Sequence, residues 1–587
     1  MKKGLAILLA LMLLAANTAA LAQAYAPGSY SAAASGNNGD VTVSVTFTED
    51  AIASIEIVSH NETAGICEPA FERIPAAIVE RQSLAVDAIA GATNTSVAIL
   101  TAVENCVSQA GGDVEALKAV QAEDTAERTT EQLTCDVLVV GSGLSGLMAA
   151  TAASGAGADV IVLEKLASTG GSAKASEGVF MVVEVEENQE YHDSDFEDTL
   201  EDAIGRWRTK MDYAGKESIY PDYDRVEIMF VESMETIDWI ENQGSYFYQN
   251  PQWIRDYVGM DTLNVDVAED EGGGTGAAKL IRLLEKNMTA NGARLYLETP
   301  ATELIAENGV VTGAKASGPD CDYIISAKSV ILACGGFGAN ETYMEAYVPD
   351  FTRVGYFDMS VSGNTGDGMD MAIAVGAAVY EDNWIIPTFI SPSTELIEHN
   401  SMFLKFLDTV GLKDPEISAD RLVVDAQGNR FMDESSHYAV QCIDLPYYNQ
   451  APYYTLYEGL EPELNEILDS GIEIGEVFKA DTIGDLALAA GMDAGTLQAT
   501  VARYDELAHS GVDTDFGKDA SHLFPIAEEG PYYLVRFVPV SVGTIGGVKT
   551  NEYYQVLGED GGVIQGLYAV GEMANRFMYN QNYVSGS

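Results

Sequence analysis

Three glycines and one acidic residue have the types and spacing of a dinucleotide-binding motif. Gly141, Gly143 and Gly146 occupy the G-x-G-x-x-G positions of "GSGLSG", between a buried-strand run, "CDVLVV", and a small-residue helix, "LMAATAASGAGA". The first glycine permits a tight turn, the second lets backbone N–H groups approach a pyrophosphate, and the third lets helix and strand pack closely. Glu164 ends the next strand run, "DVIVLEK", eighteen residues after Gly146, where it can bind a ribose. This context favours a dinucleotide site over an unrelated glycine turn.

A second group of reactive side chains lies in "DAIAGATNTS", Asp87 to Ser96, in front of a helical pattern. It contains two threonines and a serine where a single hydroxyl would suffice as an N-cap. The start of a helix also favours a phosphate, because its backbone N–H groups are free to donate. Locally, the sequence leaves two interpretations open: an N-cap threonine, or a hydroxyl that carries a phosphate-linked group.

The glycine motif is the first of several ordered motifs. "EKLASTGGSAKASEG" begins at Glu164, "AKSVILACGGFG" spans Ala327–Gly338, "TGDG" begins at Thr365 and "GLYAVGE" ends at Glu572. From Cys135 onward this series resembles the FAD-binding flavoprotein family of fumarate reductases and succinate dehydrogenases. The resemblance implies FAD and a family pattern in which Ser172 replaces the usual Asn. It implies FAD contacts from Gly141, Gly143, Ser145, Gly146, Glu164, Lys165, Ser172, Ala173, Gly178, Ala301, Asp367 and Glu572.

The segment around the threonines resembles another flavin domain. "ETAGICEPAFERIPAAIVERQSLAVDAIAGATNTS" is similar to the FMN-binding domain of bacterial ion-pumping quinone reductases and of some exported reductases. In that family a flavin transferase joins FMN, through its phosphate, to a hydroxyl in a pattern like D-x-x-[ST]-G-A-T. Asp87, Gly91 and Thr93 match, whereas Ala90 replaces the small hydroxyl residue. The resemblance implies covalent FMN on Thr93, with Thr95 as the second choice.

The resemblance also shows which substrate groups this chain lacks. Family members that reduce fumarate use an Arg as proton donor, and histidines with a second Arg hold the two carboxylates. "WIIPT" has Ile386 at one His place, and "VSVGTIGG" has Val542 and Gly543 at another. At the second Arg place the chain offers Asn582 and then Tyr583. Since a desolvated carboxylate without a cationic partner costs several kcal/mol, we expect a substrate other than a small dicarboxylate.

Tyrosines are the candidates for catalysis. "RFMDESSHY" places Tyr438 where the family has its proton-donor Arg, with His437 beside it as an alternative. A tyrosine with a pKa of about 10 is protonated at neutral pH and can donate. Tyr438 can equally be a packing residue among 29 tyrosines. Tyr583 resembles the tyrosine of ketosteroid Δ1-dehydrogenases that activates a ring carbonyl.

These residues need several elements to position them. "DVTVSVTFTEDAIASIEIVSH" predicts a β-hairpin, and "FERIPAAIVERQS" and "SVAILTAVENCVSQA" predict helices. The expected fold is α/β: a Rossmann-like FAD-binding domain with an inserted α+β capping domain, preceded by a small α+β FMN-binding domain. The expected boundaries are signal peptide 1–22, FMN-binding domain 23–112, linker 113–133, FAD-binding domain 134–380 with 542–587, and capping domain 381–541.

The composition and the N-terminal sequence limit the possible partners, the location and the metal chemistry of the protein. A net charge of −59 disfavours nucleic acid as a partner. Lys2 and Lys3, the run "LAILLALMLLAA" and "ALA" at residues 20–22 form a signal-peptide pattern, so we expect export to the cell envelope or beyond. No CxxC or CxxCH occurs, and we therefore expect no thiolate metal site and no c-type haem. Of the scattered cysteines, only Cys67 and Cys106 suggest a disulfide, and buried thiols are the preferred interpretation.

The leading hypothesis is an exported reductase for anaerobic respiration on an organic acceptor. Electrons enter at covalent FMN from a membrane or extracellular donor, pass to FAD, and reach the C=C bond of an enoate, aryl acrylate or enone. One alternative is an FAD-dependent dehydrogenase of a ring ketone, and another is a secreted, non-enzymatic flavin electron carrier. By the resemblance, we also expect a further helix beyond Ser587.

Overall fold

The structure, a computed structural model, describes residues 25–583 apart from 37–38, 63–65, 120–127, 192–198, 212–218, 252–259, 269, 271–272, 401, 404–419, 437–444, 446–447, 449, 459, 461 and 581. The signal-peptide pattern, His437 and Tyr438 therefore lie outside the described residues. Within the described part of the chain, no helix has both the length and the apolar character needed to cross a membrane.

The N-terminal unit packs two helices on a three-stranded antiparallel sheet. Its elements are β1 (Gly28–Ser35), β2 (Asp40–Phe47), β3 (Ile52–Ser59), α1 (Glu68–Arg81), α2 (Thr93–Gln109) and α3 (Val114–Lys118). Alternate residues of β2 are fully buried against both longer helices, as the period of two in its sequence requires. The predicted hairpin and the two predicted helices are present, whereas β1 was not predicted. Cys67 and Cys106 are free, buried thiols, so the disulfide alternative is wrong.

Residues 129–354 build most of a large mixed sheet and the helices around it. The elements are β4 (Thr129–Val140), α4 (Leu144–Gly155), β5 (Val160–Leu163), β6 (Val179–Val182), α5 (Leu200–Met211), α6 (Tyr223–Glu241), β7 (Tyr246–Gln249), β8 (Asp261–Asp266), α7 (Gly276–Ala290), β9 (Arg294–Tyr296), β10 (Ala301–Glu307), β11 (Val310–Ser317), β12 (Cys321–Leu332), α8 (Glu341–Tyr347) and α9 (Pro349–Val354). The strand β4 begins at Thr129, inside the stretch expected to be a linker, because its first residues pair with β12.

The remaining residues add a second sheet and then return to the first. The elements are β13 (Phe357–Asp358), α10 (Asp367–Ala374), β14 (Trp384–Pro392), α11 (Thr394–His399), β15 (Leu422–Val424), β16 (Tyr453–Glu458), α12 (Pro462–Ile472), β17 (Val477–Ala480), α13 (Ile483–Ala489), α14 (Ala494–Ser510), β18 (Tyr532–Ile545), β19 (Gln555–Leu557) and β20 (Val563–Ala569). The second sheet is organised around β18, which pairs with β13, β14, β16 and β17.

The topology of the large sheet gathers several strand ends at one edge. Its order is β10-β11-β20-β12-β4-β5-β9, and the run from β20 to β9 is parallel. In a parallel sheet the carboxyl ends of the strands lie together, and ligands bind in the crevice outside them. The glycine turn follows β4, Glu164 follows β5, Cys334 follows β12 and Glu572 follows β20. The fold therefore brings four separate motifs to one place.

Candidate functional site

An open cleft lies outside these strand ends. Ten of the residues expected to contact FAD line it: Gly141, Gly143, Ser145, Glu164, Lys165, Ser172, Ala173, Ala301, Asp367 and Glu572. Gly146 lies behind the turn, and Gly178 packs against the start of α7, where a Cβ would come within 2.7 Å of the Ala277 amide nitrogen. Gly178 is not among the residues that line the cleft, and the flavin contact expected from it stays a prediction. Lining residues that the sequence did not single out include Leu144, Leu166, Thr299, Asn364 and Met371.

The glycine turn has the shape that a pyrophosphate needs. Gly141 has φ +102°, and a Cβ on it would lie 2.3 Å from the Ala333 carbonyl oxygen. A Cβ on Gly146 would lie 2.0 Å from the Gly141 carbonyl oxygen, so strand and helix meet too closely for any side chain. At Gly143, with φ −65°, nothing lies within 4 Å of a Cβ. The open side of Gly143 faces the cleft, and this is the space that a dinucleotide would occupy.

Glu164 is buried and held by the glycine turn itself. One of its carboxylate oxygens accepts hydrogen bonds from the Ser142 amide at 2.9 Å and the Ser142 hydroxyl at 2.7 Å. The other accepts from the Leu166 amide at 2.8 Å. These bonds fix the carboxylate at the wall of the cleft, where it retains lone pairs for the hydroxyls of a ribose.

An ion pair closes another wall of the cleft. The Lys165 ammonium lies 2.6 Å from the Thr365 hydroxyl and 2.6 Å from an Asp367 carboxylate oxygen. Burial opposes ionisation of Asp367, but the hydrogen bonds from Lys165 and Thr365 hold its pKa below the usual value. The "TGDG" motif and the residue after Glu164 are thereby tied together across 200 residues of sequence.

Glu572 is the polar centre of the far end of the cleft. It accepts hydrogen bonds from the Thr544 amide at 2.7 Å, the Thr544 hydroxyl at 3.0 Å and the Asn364 amide group at 3.2 Å. Asn364 also reaches the hydroxyl of Ser172 at 3.3 Å. Burial raises the pKa of Glu572 to about 7, and the nearby Asp358 carboxylate acts in the same direction.

Two positions at which the resemblance places carboxylate-binding histidines, here Ile386 and Gly543, meet beside Glu572. A Cβ on Gly543 would lie 2.9 Å from a Glu572 carboxylate oxygen and 3.1 Å from Cδ1 of Ile386. Two distant segments, on β14 and β18, are therefore neighbours through the antiparallel pairing of those strands. At these two positions the side chain is apolar, in Ile386, or absent, in Gly543.

The C-terminal candidates lie elsewhere. Tyr583 packs against the core with its ring 5.5 Å from that of Tyr579, and its amide donates to the Asn582 side chain at 2.9 Å. Asn582 is buried and donates to the Lys210 carbonyl at 3.0 Å. Neither residue lines the cleft.

The threonines of the N-terminal unit occupy different environments. Thr93 is exposed at the first position of α2, and the N-cap is Ala92, which provides no side-chain cap. The N-cap interpretation of Thr93 is therefore wrong. Thr95 is buried, and its hydroxyl donates to the Glu62 carboxylate. Of the two hydroxyls, only that of Thr93 is accessible to a modifying enzyme.

Comparison with known proteins agrees with these features. A model of the FAD-binding domain family matches residues 136–587, and a model of the FMN-binding domain matches residues 36–108. The chain belongs to the fumarate reductase flavoprotein family. The predictions of an α/β FAD-binding fold, a small N-terminal FMN-binding domain and an FAD-dependent oxidoreductase acting on a CH–CH group are confirmed.

Similar proteins differ in the acceptors that they are named for. The chain is 31% identical to an NADH:acrylate oxidoreductase of Vibrio harveyi over 93% of its own length and 58% of that protein. It is 29% identical to a urocanate reductase of Eggerthella lenta over 93% of its length and 87% of that protein. A solved flavocytochrome c3 fumarate reductase in an open conformation aligns with a TM-score of 0.51 and 26% identity, covering 76% of this chain and 74% of that one.

The open side of Gly143 gives a test of the FAD site. Gly143→Ala should weaken FAD binding roughly tenfold or more, because its Cβ enters the cleft and overpacking costs about 1–3 kcal/mol. FAD affinity is measured by titration of the FAD-free protein. Gly205→Ala is the matched control, since nothing lies within 4 Å of a Cβ there either and the residue, in the middle of α5, does not line the cleft. Equal affinities for both variants would contradict the assignment of Gly143 to the pyrophosphate.

The raised pKa of Glu572 predicts a pH-dependent stability. In the FAD-free protein its pKa rises from 4.5 to about 7, so the folded chain binds the proton more tightly than the unfolded chain. This contribution is complete below pH 4.5 and is lost as the pH rises through 7. Between pH 5 and 8 the wild type should lose on the order of 3 kcal/mol more unfolding free energy than Glu572→Gln in denaturant titrations. Glu506→Gln, which alters an exposed carboxylate, should follow the wild type, and parallel curves for all three proteins would disprove the expectation.

Proposed function

We propose that the chain is an exported reductase for the C=C bond of an organic acceptor with no second carboxylate, such as an aryl acrylate, another enoate or an enone. The observation that carries this proposal is the meeting of Ile386 and Gly543 beside Glu572. By resemblance, a dicarboxylate-reducing enzyme has histidines at these places. The two named relatives, for acrylate and for urocanate, also point to acceptors other than dicarboxylates.

The electrostatics of this corner oppose a second carboxylate. Glu572 is buried, and Asp358 is partly buried beside it, with its pKa raised by desolvation. A further anion placed here would lose its hydration and meet two acidic side chains. Apolar contacts with Ile386 suit an aromatic or alkyl portion of the acceptor instead.

In this proposal the residues of the chain bind the cofactor, orient the acceptor and donate a proton to it. When bound, FAD supplies the hydride for one alkene carbon. Backbone and side-chain groups of the cleft hold the cofactor, and Glu572 orders Thr544 and Asn364 around its far end. We assign the proton for the second carbon to the phenol of Tyr438, with His437 as the alternative.

The segment that leads to Tyr438 is firmly anchored. Arg430 begins it and forms buried ion pairs with Glu434 at 2.7 Å and Asp513 at 2.8 Å. Lys518 lies 3.5 Å from the same Glu434 carboxylate, and all of these side chains are nearly inaccessible. Breaking a buried pair of this kind costs about 3–5 kcal/mol. The network fixes the position of Arg430 and Glu434 at the start of the motif.

The N-terminal unit supplies the route for electrons. Covalent FMN on Thr93, attached by a flavin transferase, would prevent loss of the cofactor outside the cell. The exposure of Thr93 supports this site over Thr95, whose hydroxyl is engaged by Glu62. The donor is a membrane or extracellular reductant, and the setting is anaerobic respiration.

A screen of acceptors tests the reaction. Oxidation of reduced viologen by the purified full-length protein should be about a hundredfold faster, in kcat/KM, with an aryl acrylate or enone than with fumarate, since several kcal/mol of carboxylate desolvation are uncompensated.

Tyr438→Phe should lower kcat by about 100-fold or more while FAD stays bound. Tyr553→Phe, at an exposed position, is the control. Brisk fumarate turnover would overturn the proposed acceptor class, and a fully active Tyr438→Phe would overturn the role of that residue.

The attachment site has its own test. Protein purified from the native host and then denatured should keep a phosphate-linked flavin, and Thr93→Ala should lose it. Thr95→Val should keep it, because the Thr95 hydroxyl is buried. The flavin is read by mass spectrometry of the peptide that contains residues 87–96. Retention of the flavin in Thr93→Ala, or its loss in Thr95→Val alone, would show that the flavin is attached to another hydroxyl.

A further inference from the structure

The N-terminal unit touches the large domain at the rim of the FAD cleft. Gly91, two residues before Thr93, has φ +86°, and a Cβ on it would lie 3.3 Å from Cδ1 of Leu166. Leu166 itself lines the cleft. A single leucine side chain therefore separates the turn that precedes Thr93 from the space that holds FAD.

An ion pair fastens the same contact. Arg73, on α1, lies 2.5 Å from the Glu298 carboxylate of the large domain, and the two side chains are 47% and 27% exposed. The Glu298 amide donates to the Leu166 carbonyl at 3.0 Å, and the next residue, Thr299, lines the cleft. The Gly91 contact and the ion pair thus act on two segments of the large domain, at Leu166 and at Glu298, that are hydrogen-bonded to each other. We call Arg73, Gly91, Leu166 and Glu298 the docking face.

Charge complementarity extends beyond this pair. Burial lowers the pKa of Lys174, and the carboxylates of Glu285 and Glu68 act against that change. Glu68 is the first residue of α1, and it also favours the charged form of Arg282. Lys174 follows the cleft-lining residues Ser172 and Ala173. The N-terminal unit therefore offers one acidic group, Glu68, and one basic group, Arg73, to opposite charges of the large domain.

We propose that Arg73 and Glu298 form a latch that holds the turn before Thr93 against Leu166, and that electrons pass between the two flavin sites in this latched arrangement. The inference rests on the proposed function and specifies its electron-transfer contact. Two electrons from the external reductant cross from the N-terminal flavin to the FAD site. With one proton taken up from solvent they leave as hydride to one alkene carbon, and a second proton is added to the other carbon, so the acceptor gains two electrons and two protons.

The latch is weak because its ion pair is partly exposed to solvent. An exposed ion pair contributes about 0.2–1 kcal/mol, and salt screens it. Because the two units belong to one chain, a weak contact still suffices to populate the docked arrangement. We therefore expect a graded change in rate upon mutation, and a dependence of the wild-type rate on ionic strength.

Rapid mixing of the reduced, doubly flavinylated protein with an acceptor tests the latch. Re-oxidation of the N-terminal flavin should slow about two- to fivefold in Arg73→Gln and about fivefold or more in Arg73→Glu. The double exchange Arg73→Glu with Glu298→Arg should return the rate to within about twofold of wild type. Arg81→Glu, an exposed position in the last turn of α1, should leave it unchanged.

Amide hydrogen exchange provides a readout that needs no acceptor. The amides of residues 88–92 and 297–299 should exchange faster in Arg73→Glu than in wild type, with FAD content unchanged. The double variant Arg73→Glu with Glu298→Arg should restore their protection. Wild-type rates and exchange in both single variants would overturn the latch. If no acceptor is reduced by the wild type yet the exchange pattern holds, the proposed reaction fails while the docking face stands.

Discussion

The close approach of backbone atoms at the glycine turn is the constraint on which the site depends. A Cβ on Gly141 would meet the Ala333 carbonyl at 2.3 Å, and a Cβ on Gly146 would meet the Gly141 carbonyl at 2.0 Å. With no side chains there, β4 pairs with β12 up to its last residue, and α4 begins directly at the turn. The free N–H groups of the helix then face the cleft. Any larger residue would separate strand from helix and misplace every group that follows a strand end.

Acidic residues around the cleft are tolerated because each has a defined set of donors. Glu164 accepts from two amides and a hydroxyl, and Asp367 pairs with Lys165. Glu572 accepts hydrogen bonds from the neutral groups of Thr544 and Asn364, and it lies near Asp358. Hydrogen bonds from neutral donors offset desolvation less completely than a cation does. This difference explains why burial raises the pKa of Glu572 whereas that of Asp367 is lowered.

Local patterns predicted the local elements and the glycine turn, since periodicity and turn residues report short-range geometry. They missed β1, whose sequence "GSYSAAAS" lacks the β-branched residues typical of strands and is ordered by pairing with β2. They also missed the bond between Thr95 and Glu62, and the pairing of Arg430 with Asp513 across 83 residues. Such contacts depend on how distant elements pack. The neighbourhood of Ile386 and Gly543 was open to prediction only through family resemblance, because it follows from the register of β14 on β18.

Under the proposal that Thr93 carries the FMN, the position of this residue meets two conflicting demands. The hydroxyl must be accessible for attachment and for an external donor, yet it must lie close to the FAD cleft. Exposure of Thr93 at the start of α2 satisfies the first demand, and the contact of Gly91 with Leu166 satisfies the second. A large apolar interface would satisfy only the second, because it would hold the units together permanently and shield the hydroxyl. A contact made of one glycine, one leucine and one half-exposed ion pair is weak enough to open, and the shared chain keeps its partners close enough to re-form it.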